Sequence, residues 1–351
     1  MKRLLILFGI FFFSMGVSNT LVAEDTNSGT TVANFLEIGM GSIGTGMGNA
    51  YTALANDPSS MFWNPAGLAF VKYNQFQFMN QPYLADININ YLAFGIPIPN
   101  VGVIGLDITS LSMDDMKVRT VENPQGTGQY FTANDIAVSL GYARFITDWF
   151  SFGATAKYVR EKIYSMSASA FAMNLGVNIQ TGFFSVTENQ SDGLIIGMSI
   201  SNFGTKMKLD GINTLIPVDI EPNIDGNNDN IAAHMRTEEY PLPLLYRIGV
   251  AYAPLVSEHY RLNLEVDAIH PNNSTEYLNV GGEFQYHVNP SVTACLRSGY
   301  TKLFMKDSEE GLTFGGGIRM RISQMNFGFN YSYASFNRLD YVHRFGFSFF
   351  M

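Results

Sequence analysis

Leu339-Asp-Tyr-Val-His-Arg-Phe-Gly-Phe-Ser-Phe-Phe350 closes the chain one residue before Met351. Read as a strand, it sets Tyr341, His343, Phe345, Phe347 and Phe349 on one face. In water that face would be an aggregation hazard, whereas in an outer-membrane β-barrel it meets lipid and the membrane boundary, where aromatic rings are favoured. The stretch predicts a closing barrel strand.

Working outward, Met325-Asn-Phe-Gly-Phe-Asn-Tyr-Ser-Tyr-Ala-Ser335 alternates in the same way, with Met325, Phe327, Phe329, Tyr331 and Tyr333 opposite Asn326, Gly328, Asn330 and Ser332. From about residue 72 to the end the hydrophobic period is two. Strands are expected at 72–79, 86–97, 101–112, 132–145, 149–163, 168–181, 192–203, 244–254, 259–270, 276–287, 291–302, 311–322, 325–336 and 340–350. The expectation is all-β: a transmembrane antiparallel barrel of about 14 strands over 72–351, with both termini periplasmic. Short turns at Pro97–Asn100, Ile146–Asp148, Val256–Glu258, Asn289–Pro290 and Ser323–Gln324 would be periplasmic. Longer connections at 113–131, 204–243 and 303–310 would face outward, while 182–191 is long for an inner turn.

Composition agrees with this reading. The chain is 46% hydrophobic and 14% aromatic with 15% charged residues, yet beyond the leader it lacks an apolar run long enough for a spanning helix. Residues 1–23 hold Lys2 and Arg3, the apolar run Leu4 to Phe13 and a small-residue region ending at Ala23, the pattern of a cleaved secretory signal peptide. Losing Lys2 and Arg3 leaves 19 basic against 30 acidic residues, a net charge of −11 that disfavours nucleic acid. Cys295 is the single cysteine, which excludes an internal disulfide framework and metal-type cysteine spacing. No cofactor or metal is expected.

Charges in the strands alternate with apolar neighbours. Arg247, Glu265, Asp267, Glu283, Arg297, Arg319 and Arg321 are therefore expected to point into the lumen as a mutually neutralising set, because a charge on the lipid face at mid-depth costs about 2–4 kcal/mol. Wall stabilisation and substrate lining both remain open for them. In the long outward loop 204–243, Asp219, Glu221, Asp225, Asp229, Glu238 and Glu239 form a candidate partner surface, or merely a solvated acidic loop. Asp225-Gly-Asn-Asn-Asp229 lacks the spacing and terminal Glu of a calcium-binding loop. The five histidines, His234, His259, His270, His287 and His343, have no recognisable nucleophile beside them, so enzymatic activity is not expected.

Ahead of the strands, residues 24–71 are rich in glycine. Gly39-x-Gly41-x-x-Gly44 matches a dinucleotide fingerprint in form, but no βαβ unit follows it. Packing explains the glycines better, with Tyr51–Asn56 read as a short helix stopped near Asp57-Pro58. A barrel of this size encloses more space than its own side chains fill, so the segment is expected to act as a lumen hatch rather than a free periplasmic tail.

Gly44-Thr-Gly-Met-Gly-Asn-Ala-Tyr-Thr-Ala-Leu-Ala-Asn-Asp57 and Phe62-Trp-Asn-Pro-Ala-Gly-Leu68 resemble the N-terminal signature of the PorV/PorQ family, which is related to the FadL-type hydrophobic-compound transporters. The matching positions include Gly44, Gly46, Gly48, Asn49, Asp57, Asn64, Pro65, Ala66 and Gly67, with Asn64-Pro65-Ala66 as the hatch motif. The resemblance extends to Asp267–Pro271, Tyr277–Glu283, Leu296–Tyr300, Glu310–Gly317 and His343–Phe347. It implies a FadL-like barrel with a periplasmic hatch in the outer membrane of a Gram-negative-type bacterium. It also implies work with the type IX secretion system, whose cargo carries a C-terminal sorting domain and passes to the surface-attachment machinery. A channel for hydrophobic small molecules is the alternative.

Overall fold

The computed structural model describes residues 27, 29–187, 189–223, 230–306 and 308–351. The leader at 1–23, with Asp225 and Asp229, lies outside the described residues. Fourteen long strands form the wall: β1 Gln75–Pro82, β2 Asn88–Ile98, β3 Gly102–Ser112, β4 Ala133–Thr147, β5 Phe150–Ile163, β6 Met166–Gln180 and β7 Ile195–Gly204. They continue as β8 Leu245–Val256, β9 Tyr260–Pro271, β10 Tyr277–Asn289, β11 Val292–Leu303, β12 Leu312–Ile322, β13 Met325–Ser335 and β14 Tyr341–Phe350. Each pairs antiparallel with its neighbour, and β1 pairs with β14 from Gln75↔Phe350 to Asn80↔Phe345, closing the sheet. Closure removes the exposed edge that the aromatic last strand would otherwise present.

Period-two alternation sorts the side chains. Leu140, Phe171, Leu296, Phe314 and Phe347 are exposed on the outer surface. Phe327 meets Phe349 and Phe329 meets Phe347, with ring centroids 5.4 and 5.2 Å apart. Tyr331, Tyr333, Tyr341 and His343 cluster toward the other end of the last two strands, where the Tyr331 hydroxyl and His343 Nδ1 are 2.7 Å apart. Such amphipathic rings suit a membrane interface.

Gln75 and Phe350 share one end of the barrel with the tight turns after β2, β4, β8, β10 and β12. By the rule for bacterial barrels this end is periplasmic. The long inner connection 181–194 is organised by Asp192, whose buried carboxylate accepts from the Val186 and Thr187 amides at 3.0 and 2.9 Å and from the Ser185 and Thr187 hydroxyls at 3.0 Å. At the opposite end, the 204–243 connection carries its own ribbons: Leu215–Val218 pairs with Ile231–His234, and Met207–Lys208 with Glu239–Tyr240.

The N-terminal segment occupies the middle of the lumen. It contains helix α1 Ser42–Gly46, helix α2 Ser60–Trp63 and a 3-10 turn over Pro65–Phe70. No helix among the described residues is long and apolar enough to cross a membrane. Two expectations need correction. Tyr51–Asn56 is not helical, because its amides bond to the wall instead of to preceding carbonyls. Nor does the described chain begin on the periplasmic side: Asn27 Nδ2 donates to Asn272 O at 3.4 Å, Val32 N to Pro241 O at 3.1 Å and Asn273 Nδ2 to Thr31 Oγ1 at 2.9 Å. The segment enters at the outward end and descends the whole lumen to Val71, because the bonds that fix it are spread along the wall's height.

Candidate functional site: a plugged lumen with two cavities

Helix α2 and the turn after it carry the hatch motif. Asn64 Nδ2 donates to Thr52 O at 2.8 Å and to Val177 O on β6 at 3.0 Å, while its Oδ1 accepts from Ala66 N at 3.2 Å. One amide therefore caps the following turn, staples the hatch to itself and pins it to the wall. Asp57 accepts from Ser59 N and Oγ at 2.8 and 2.6 Å, and Trp63 Nε1 donates to Met40 O at 2.8 Å. Gly44 packs under the Trp63 ring, and a Cβ at Gly67 would lie 2.2 Å from Ala55 O.

The wall answers with polar groups on its lumen face. Asp267 Oδ2 accepts from Tyr51 N and Thr52 N, both at 3.1 Å, and from Thr52 Oγ1 at 2.6 Å. Glu265 Oε1 and Oε2 accept from Ala53 N at 2.6 Å and Leu54 N at 3.1 Å. Two carboxylates on one face of β9 thus grip four consecutive hatch amides. Donors complete the grip: Asn174 Nδ2 to Met61 O at 3.2 Å, Asn178 Nδ2 to Ala53 O at 2.8 Å, Asn279 Nδ2 to Asn49 O at 3.2 Å, and Thr313 Oγ1 to Gly46 O at 3.3 Å. Ser199 Oγ reaches Trp63 O at 2.9 Å and Ser151 Oγ reaches Ala66 O at 3.2 Å.

Wall glycines supply the clearance. Gly105, Gly153, Gly176, Gly197, Gly281 and Gly299 all face the hatch. A Cβ at Gly281 would stand 2.1 Å from Met47 O, and one at Gly176 2.0 Å from Asn64 Oδ1. Several are cross-strand partners, including Gly105↔Gly141, Gly153↔Gly176, Gly197↔Gly249 and Gly281↔Gly299. Gly48, at φ +67, makes the matching close approach from the hatch side, and Pro65 backbone lies against Gly153.

The expected lumen charges have different partners. Glu265 and Asp267 serve the hatch rather than neutralising arginines. Glu283 and Arg297 do form a buried ion pair at 2.7 Å, with Arg297 Nη1 also on Asn330 Oδ1 at 2.9 Å. Arg247 lies over the Phe62 and Trp63 rings at 5.5 and 5.8 Å and donates to Ser201 Oγ at 2.9 Å. Arg319 lines the inner cavity, whereas Arg321 sits at the periplasmic rim and donates to Ser323 O at 3.4 Å. The reading from sequence passes over Asp107 with Ser139, Lys157 with Asn202, and Arg344 with Gln81, bonded at 3.1, 2.9 and 2.9 Å. Their signal was present as polar positions alternating with apolar ones.

The hatch leaves a cavity on either side. The outward one, about 800 Å³, is lined in part by Glu37, Arg247, Tyr277, Lys302, Phe336 and Arg344. The periplasmic one, about 470 Å³, includes Leu54, Lys72, Arg261, Glu283, Arg297 and Arg319. On the outward connection, Asp219, Glu221, Glu238 and Glu239 are exposed, alongside the exposed Ile216, Ile220, Ile231 and Met235.

The family model for the type IX secretion system protein PorV matches residues 21–231, more than half of the chain and including the whole described hatch. The chain belongs to the PorV family. It is an outer-membrane protein of the type IX secretion class, in a family and fold of transport-related barrels. The Pseudomonas putida toluene transporter TodX is similar in fold, with a TM-score of 0.54 at 12% identity over 89% of this chain and 97% of that one. The Ralstonia pickettii toluene transporter TbuX gives 0.53 at 13% over 89% and 97%. No curated protein matches the sequence. The fold likeness confirms the FadL-like architecture that the hatch motif implied.

Proposed function

We propose that this PorV-family barrel binds secreted proteins at its outward face, through their C-terminal sorting domain, and passes them to the surface-attachment machinery. The observation that carries this reading is a lumen plugged by a hydrogen-bonded hatch beneath an outward connection whose described residues pair into ribbons. A hatch held by buried hydrogen bonds from most of the wall favours holding a partner over conducting a solute. The 204–243 connection offers aliphatic side chains beside acidic ones, the mixture that protein interfaces use. In-cell crosslinking, purification of the barrel and mass spectrometry test it. Exported proteins sharing a C-terminal domain, recovered with a large translocon component, are the expected result.

A channel for hydrophobic small molecules is the second reading, supported by the fold shared with toluene transporters. Lateral exit from the lumen would need a break in the wall. The β2–β3 and β3–β4 ladders run without a register shift, from Asn88↔Ser112 to Ile98↔Gly102 and from Val103↔Ala143 to Ser112↔Asn134. The register does shift near strand ends, at Phe145/Thr147, Tyr252/Leu255, Leu278/Val280 and His287/Asn289, and between β6 and β7 near Met173/Leu175, where Asn202 fills the irregularity, donating to Pro243 O at 3.0 Å and accepting from Lys157 Nζ at 2.9 Å. Recovery of the barrel alone, carrying apolar molecules, would favour the channel.

A further inference from the structure

The outer face of β5 changes character toward its outward end. Phe152, Ala154, Ala156 and Tyr158 face lipid, and the next two positions on that face are Arg160 and Lys162, both exposed. Tyr158 meets Phe171 of β6 with ring centroids 5.2 Å apart, an aromatic contact suited to the membrane boundary. The register sets uncharged polar groups around the two cations: Lys162 stands between Asn134 of β4 and Ser167 of β6, and Arg160 lies opposite Ser169. No outward-facing position of β4, β5 or β6 carries an acid. Asp135 and Glu161 line the outward cavity, on the other side of the wall.

A third cation comes from the chain that follows β7. Thr205 is fixed to Phe171 by two hydrogen bonds, Thr205 N to Phe171 O at 2.9 Å and Phe171 N to Thr205 Oγ1 at 3.1 Å. Met207 is buried against Ala168, Ala170 and Ala172 on the lumen side, so Lys206 beside it is turned outward and is exposed. Lys208 stands opposite Glu239 in its ribbon, and Asp210, opposite Ser167, accepts from the Gly211 amide at 2.8 Å. Among the described residues, the side chains of Arg160, Lys162 and Lys206 have no hydrogen-bond or ion-pair partner.

We propose that Arg160, Lys162 and Lys206 bind the phosphate headgroup of a lipid in the outer leaflet, whose acyl chains lie along Tyr158 and Phe171. An amphiphile held in the membrane presents its charge and its chains in the same order as this surface, cations above and aromatic rings below. The Arg160 fork matches phosphate oxygens and the two ammonium groups add point charges. Contact with the membrane strengthens the attraction, because basic groups beside a bilayer gather anionic headgroups that a bulk solution would dilute. The patch lies on the outside of the wall and takes no part in cargo handling, so either proposal can fail without the other.

The test is native mass spectrometry of the purified full barrel in dodecyl maltoside micelles doped with dioleoyl phosphatidic acid or, separately, dioleoyl phosphatidylcholine. Saturable retention of phosphatidic acid over phosphatidylcholine is the expected result, weakened about tenfold or more in Arg160→Gln/Lys162→Gln and unchanged in Arg338→Gln on the β13–β14 turn. Should the double variant fail to fold, wild-type protein alone decides: its preference for phosphatidic acid must decline as salt screens the charges. Equal retention of the two lipids, a preference that salt leaves intact, or retention unchanged in the folded double variant overturns the site. Displacement of phosphatidic acid by millimolar inorganic phosphate would overturn the lipid as its occupant and leave a site for free phosphate.

Discussion

Asp267 and Glu265 show how single side chains do two jobs in this barrel. Their alternation with apolar neighbours places them inward, which is readable from the sequence; that they would grip hatch amides more than two hundred positions earlier is not, because nothing local marks the partner. Asp267→Ala is expected to strand the Tyr51 and Thr52 amides inside the wall, costing about 3 kcal/mol or more. Thermal unfolding should fall, and protease should reach residues 51–54 in the otherwise folded barrel. The glycines make the complementary point. Sequence shows many on the lumen side without marking which of them the hatch crowds, whereas packing does: Gly281→Val drives its Cβ into Met47 O, while at Gly316, on the outer face, an added Cβ meets only Cys295 O at 3.8 Å. Gly281→Val should lower the melting temperature by the equivalent of about 1–3 kcal/mol, with Gly316→Val near wild type.

At the scale of elements, all fourteen strands were readable because lipid outside and hatch inside enforce one period along every one of them. The hatch was readable as a segment but not in its internal structure. Tyr51–Asn56 has the composition of a helix, and a competing set of acceptors on β9 overrides it. The inner connection 181–194 also defied simple turn patterns, because a single buried carboxylate organises it. Asp192 is held below the usual carboxylate range: burial opposes ionisation, and the hydrogen bonds from Thr187, Ser185 and Val186 outweigh it. A lowered native pKa contributes stability above the unfolded value near about 4 and loses it as pH falls through the native one. Protease cleavage within 181–194 should therefore be slow at neutral pH, rise only in strong acid, and be fast at every pH in Asp192→Ala. A charge on the outer face probes the wall itself. Leu140→Arg, at an exposed mid-strand position of β4, should cost about 2–4 kcal/mol in refolding titrations into lipid vesicles.

For the whole molecule, the decisive relation is between a closed wall and a plug that touches nearly all of it. Reconstituted into planar bilayers, the wild-type barrel should be electrically silent, and Glu265→Ala/Asp267→Ala should show intermittent conductance as the hatch loosens; a steadily conducting wild type would show that the hatch does not seal the lumen. The clasp also has a history built into it. Its amides come from residues 51–54 and its carboxylates from 265 and 267, while the wall closes only when Gln75 meets Phe350. Contacts of such long range form slowly, because a large loop must be ordered before any bond rewards it. A barrel that sealed its wall before seating the hatch would be an open hole in the envelope, so the order of these two events during insertion decides whether each newly made copy is harmless to the cell.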